Sequence, residues 1–123
     1  RRSRIAAKMA FQTKQKVVDF DEMGFFKILF ASEDTAILKS YEAQMLGPLR
    51  EYDERHHSNY LETLRSYIEN DRSLMGVAAA TYTHRNTVNY RIQNIKKLLN
   101  NDLKTLEDLF PYQVAFYIQD MNL

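Results

Sequence analysis

The chain has 123 residues, 45% of them apolar, which is enough for one packed domain. It holds no cysteine, three glycines and two prolines, excluding a disulfide scaffold, a thiolate nucleophile, Cys-ligated zinc and a collagen-like or turn-dense all-β chain. The net charge of +1 points to no particular partner, and no apolar run reaches the roughly 18 residues of a membrane span.

Charge distribution says more than net charge. Residues 1–18 carry six Lys or Arg and no acid, while 19–57 carry four bases against nine acids. Residues 58–100 are basic again, and 101–123 are acidic. The chain opens Arg1-Arg2-Ser3-Arg4 without Met, and no signal-peptide pattern follows. It reads as a piece of a longer cytoplasmic protein.

In chain order, residues 3–16 read as a helix, with Ser3 as cap and Ala6, Met9 and Ala10 at helical spacing. Residues 17–20 are β-prone but have no strand to pair with. Residues 25–31 form a short apolar helix, most simply core, which could also serve as a dimer contact. Ser32 or Asp34 can cap the next helix, which runs to about Leu46 with Ile37, Leu38, Tyr41 and Met45 on one face. Gly47-Pro48 is expected to end it, leaving residues 49–57 as a charged connector. Ser58 is expected to start and cap a helix carrying Leu61, Leu64, Tyr67 and Ile68. Residues 70–72 break it, and Ser73 caps a short helix over 74–80. Residues 81–83 are a tight connection. Residues 84–99 form a longer helix, and Asn100-Asn101 ends it. The stretch 105–121 is helical, but an interior proline costs about 3 kcal/mol. A short turn is therefore expected before Pro111, with the helix beginning there. No internal repeat is present, and the fold class is all-α.

A supporting helix, a short helix, a three-residue turn and a longer helix have the proportions of a helix-turn-helix. Ala78 is small where the short helix must approach the longer one, and Val88 supplies a branched apolar side chain. At about 100° per residue, Ile92, Ile95 and Leu99 join Val88 in one stripe. Asn86, Tyr90, Gln93 and Lys97 lie opposite, flanked by Asn89. Arg85 and Lys96 form one edge; His84, Thr87 and Arg91 form the other. Residues 84–99 contain no carboxylate. Amides can bond adenine, Arg can bond guanine, and Lys, Thr and Tyr can hold phosphates. From pattern alone, this face equally fits a solvated helix of an ordinary bundle.

The string His84-Arg85-Asn86-Thr87-Val88-Asn89-Tyr90-Arg91-Ile92 resembles the HRNTxxYRL signature of the PucR/CdaR family of bacterial transcription regulators. Leu61-Glu62-Thr63-Leu64 with Tyr67-Ile68 resembles that family's LxxTLxxYL helix. Asp102-Leu103 and Ala115 resemble its ending. Asp21-Glu22-Met23-Gly24, and Leu46-Gly47-Pro48-Leu49 with Tyr52-Asp53, resemble the stretches leading into it. The resemblance spans about residues 5–118. It implies a helical bundle with an N-terminal helical connector. Residues 1–55 would be the tail of a GGDEF-like central domain, one that makes no cyclic dinucleotide, together with that connector. Residues 56–123 would be a PucR-type helix-turn-helix domain. One departure stands out: the turn usually carries a large aliphatic and a branched residue, and here reads Thr81-Tyr82-Thr83. Either the two helices pack more loosely or Tyr82 fills the gap.

The expected function is sequence-specific binding of double-stranded operator DNA by a transcription regulator, through His84, Arg85, Asn86, Thr87, Asn89, Tyr90, Arg91, Gln93, Lys96 and Lys97. Some of these carry a second reading. Arg91 either pairs with an acid such as Glu62 or Glu69 or contacts phosphate. His84 is a cap or a phosphate contact. Asn86 and Thr87 could instead satisfy free N–H groups at the helix start. The regulator is expected to be a homodimer. A small-molecule effector would be sensed by a region outside this chain. No cofactor, metal or catalysis is expected: His56-His57 lacks a third ligand, and Asp19, Asp21 and Glu22 lack a nucleophile or oxyanion motif. The alternative is a helical dimerisation or signal-relay module without direct DNA readout.

Overall fold

The computed structural model describes residues 34–123. The helix expected over 3–16, the β-prone stretch 17–20 and the apolar segment 25–31 lie outside them. Five helices occupy the described residues: α1 (Thr35–His56), α2 (Tyr60–Glu69), α3 (Leu74–Thr81), α4 (Arg85–Leu99) and α5 (Leu106–Asp120). No strand occurs among these residues, so they are all-α. None of these helices is long and apolar enough to cross a membrane.

Asp34 caps α1, accepting from the Ile37 N–H at 3.2 Å. The expected stop at Gly47-Pro48 does not occur. Pro48 sits inside one continuous helix that ends at His56, and the expected connector over 49–57 is helical as far as His56. The physical reason is burial on either side: Leu46 and Leu49 are both fully buried in the common core. Pro48 itself is exposed, as is Gln44, whose carbonyl loses its partner to the proline and can bond water instead.

Ser58 does not cap α2. The N-cap is Asn59, whose side chain makes no capping bond. Asp53 of α1 does this work from outside the helix. Its Oδ1 accepts from the Ser58 hydroxyl at 2.6 Å and the Tyr60 N–H at 2.8 Å, and its Oδ2 accepts from the Leu61 N–H at 2.9 Å. The last turn of α1 is thereby bonded to the first turn of α2.

The second proline also falls inside its helix. α5 starts at Leu106, five residues before Pro111, because Thr105 and Asp108 form a reciprocal capping box. The Thr105 hydroxyl accepts from the Asp108 N–H at 3.0 Å, and the Asp108 carboxylate accepts from the Lys104 and Thr105 N–H groups. Those backbone bonds hold the Asp108 carboxyl below its ordinary value.

α1 lies against α5 and α2, while α2 packs on α3 and α4 and α3 packs on α4. The centre is Leu46, Leu49, Leu64, Val77, Ile92, Ile95 and Leu103, all fully buried. Tyr67 reaches from α2 to the loop before α5, its hydroxyl donating to the Leu103 carbonyl at 3.4 Å. Arg65 of α2 bonds Asp120 of α5 at 2.5 Å and lies over the Phe116 ring. These ties seat α3 and α4 on a platform made by the other three helices.

Candidate nucleic-acid interface

α3, its turn and α4 are built locally. Ser73 caps α3, its hydroxyl accepting from the Gly76 N–H at 3.0 Å. The helix ends at Thr81, whose hydroxyl bonds back to the Val77 carbonyl at 2.7 Å. Tyr82 follows in the left-handed conformation, with φ 53 and ψ 44. The Tyr82 and Thr83 N–H groups both donate to the Ala78 carbonyl. This αL reversal turns the chain into α4. Tyr82 does not fill the gap between the helices: it is 97% exposed, while Val77 and Val88 are buried in the common core with Ala78 packed against it. In the αL position its side chain leaves the helix pair.

His84 is the N-cap of α4, and its Nδ1 accepts from the Asn86 N–H at 3.1 Å. An accepting Nδ1 places the ring proton on Nε2, which stays available as a donor. Asn100, in αL with φ 50, closes the helix.

The wheel reading of α4 matches its burial. Val88, Ile92 and Ile95 are buried, and Leu99 is partly buried against the same core. Arg85, Asn86, Thr87, Asn89, Tyr90, Gln93 and Lys97 are exposed together with His84, while Arg91 and Lys96 are half-buried at the edges. Gln93 and Asn89 touch each other, amide to amide, at 3.4 Å. The helix-start role falls to His84, and Thr87 makes no side-chain hydrogen bond among the described residues.

Of the two readings of Arg91, the pairing with an acid such as Glu62 or Glu69 is not found among the described residues. Glu69 pairs with Arg65 at 3.6 Å, and no ion pair among the described residues involves Arg91, Arg85, Lys96 or Lys97. Four cations thus stand along one acid-free helix without an ion-pair partner among the described residues. Such a surface favours polyanions.

Two contacts important to α4 were missed by sequence reading. Asn94, half-buried, donates from Nδ2 to the Tyr60 hydroxyl at 2.9 Å. Tyr60 in turn stacks on Tyr52 of α1, with centroids 4.7 Å apart and planes 14° from parallel. The Tyr52 phenol is held above its ordinary value, first by the Tyr60 side chain beside it, then by burial and by the neighbouring Tyr90 and Asp53. His56 and His57 end α1: the His56 ring lies 4.2 Å from Tyr52, and His57 takes the αL cap.

Comparison with known proteins agrees with this geometry. Residues 60–118 match the PucR C-terminal helix-turn-helix domain. The chain is 28% identical over 116 residues to the DNA-binding transcriptional activator AdeR of Bacillus subtilis (strain 168), covering 94% of this chain and 27% of that protein. It is 29% identical over 85 residues to the proline-responsive transcriptional activator PutR of the same organism, covering 69% of this chain and 21% of that protein. It is 38% identical over 55 residues to the transcriptional activator PmfR of Paenarthrobacter nicotinovorans, covering 45% and 12% respectively. The chain therefore spans about a quarter or less of the length of these relatives. No solved structure matches it. The capped α3, the αL turn and the α4 stripe give residues 60–118 the form of a helix-turn-helix, and that span is similar to the PucR C-terminal helix-turn-helix domain.

Proposed function

We propose that this chain is the DNA-binding part of a bacterial transcription regulator and that α4 reads operator DNA in the major groove. One observation carries the reading. The solvent face and edges of a helix-turn-helix second helix carry amides, hydroxyls and four cations that pair with no acid among the described residues, and not one carboxylate. Arg85, Asn86 and Asn89 lie in the first turns of α4, the part that enters the groove deepest in this motif. Their side chains can make bidentate bonds to base edges. His84, Thr87, Tyr90, Arg91, Gln93, Lys96 and Lys97 flank them as backbone and edge contacts. The relatives AdeR, PutR and PmfR are named as activators, which supports a regulatory role.

The regulator acts as a homodimer, because one recognition helix reads only a few base pairs and two half-sites about 34 Å apart remedy this. A small-molecule effector is sensed elsewhere in the longer protein. Residues 1–55 are the end of its GGDEF-like domain and a helical connector. The bonding of Asp53 to the first turn of α2 suits α1 to that connecting role.

Titration of duplex DNA with the chain at several salt concentrations tests the reading. A dimer using half to all of Arg85, Arg91, Lys96 and Lys97 neutralises about 4–8 phosphates, so log affinity falls with log salt at a slope of roughly −4 to −7. A slope near zero rejects DNA binding through this face.

A further inference from the structure

Among the described residues, seven other than glycine hold a positive φ. Five have an evident reason in residue type or burial: Asp71, Asn100, Asn122 and His57 are types that tolerate αL, and Leu103, at φ 51, is fully buried. Arg72, at φ 66, bonds the Lys104 carbonyl through its guanidinium. Tyr82 has neither reason. It takes φ 53, is 97% exposed, and makes no side-chain hydrogen bond or ring contact. A turn that glycine would form without steric cost instead carries the largest fully displayed side chain of the domain.

The turn that carries it is firmly held. Its two N–H groups bond Ala78, the Thr81 hydroxyl bonds Val77, and the Thr83 hydroxyl donates to the Thr81 carbonyl at 2.9 Å. Tyr82 stands two residues before His84, the cap of α4, and three before Arg85. A phenol on a fixed turn loses little freedom on engaging a partner, since only two side-chain torsions must be ordered.

We propose that Tyr82 is a DNA-backbone contact: its phenol O–H donates to a phosphate oxygen flanking the base pairs faced by α4. The inference rests on the reading of α4 as a DNA-binding helix. The contact is neutral and does not read sequence, so it adds affinity without adding to the salt slope.

The test compares the wild-type chain with Tyr82→Gly and Tyr82→Phe on a duplex enriched by the wild type from a random 20-bp library. Tyr82→Gly is expected to melt no lower than wild type, because glycine relieves the αL turn, and yet to bind about five- to tenfold more weakly. Tyr82→Phe is expected to lose about as much, with salt slope and selected bases unchanged in both. Wild-type affinity in either variant overturns the proposal, and so does a changed base preference. A wild-type chain that enriches no duplex rejects the DNA-binding reading itself, and this inference with it. A wild type that binds beside an equally tight Tyr82→Gly rejects the inference alone.

Discussion

The Asn94 side-chain amide donates to the Tyr60 hydroxyl at 2.9 Å, bonding the middle of α4 to the first residue of α2. Tyr60 is buried and stacked on Tyr52, so three helices meet at one phenol. Tyr60→Phe keeps the stack and deletes the bond. It should destabilise the chain by about 0.5–1.5 kcal/mol in urea denaturation. Asn94→Ala should cost a similar amount. The double variant should cost less than the two singles added, because both remove the same bond.

Asp53 gathers three donors at the start of α2, which has no cap of its own. Asp53→Ala should therefore cost about 1–2 kcal/mol, the upper part of the range for a lost N-cap. Asp53→Asn should recover part of that, since one amide oxygen can still accept. Chemical denaturation of the two variants checks the order. An Ala variant as stable as wild type would show that the link between α1 and α2 contributes nothing.

Asp108 contributes to stability on the acid side. Its carboxyl is held below its ordinary value by the Lys104 and Thr105 N–H groups. A depressed folded-state value means stability that is fully present above the unfolded value, about 3.9. It is lost as pH falls through the lower folded value. The melting-temperature gap between wild type and Asp108→Asn should stay constant above roughly pH 4–5 and close below it. Thr105→Ala removes the other half of the box and should cost about 0.5–2 kcal/mol at neutral pH.

Val88→Ala separates fold from readout. Val88 is buried between α3 and α4, so the smaller side chain leaves a cavity worth about 1–3 kcal/mol. Base preference should not change. A shift in preferred bases would mean that this packing sets the pose of α4.

Much of this was legible in the sequence, and the misses have physical causes. Ser73, residues 81–83 and the Val88–Ile92–Ile95 stripe carry local signals: a short-range cap, a break and a 3.6 period. Each appears where expected. Pro48 and Pro111 were misread because interior proline is costly locally, and the offsets are not local. The fully buried Leu46 and Leu49 compensate around Pro48, and the Thr105–Asp108 box fixes a start upstream of Pro111. The Asp53 cap spans a helix boundary, and the Asn94–Tyr60 bond spans 34 positions, so no window of local pattern contains either. The departure of the turn from the family pattern left two readings open, looser packing or Tyr82 in the gap, and the second does not hold. The αL backbone of Tyr82, invisible in the sequence, turns it outward.

The central claim is that α4 reads bases with its first turns and holds phosphate with its last. Binding-site selection from a random duplex library on Arg85→Ala, Asn86→Ala and Lys97→Ala tests it most directly. Arg85 and Asn86 variants should relax preference at particular positions, each by about 1–3 kcal/mol of discrimination. Lys97→Ala should weaken all sequences about equally and flatten the salt slope by roughly one unit. Altered base preference in Lys97→Ala, with none in the other two, would contradict the account.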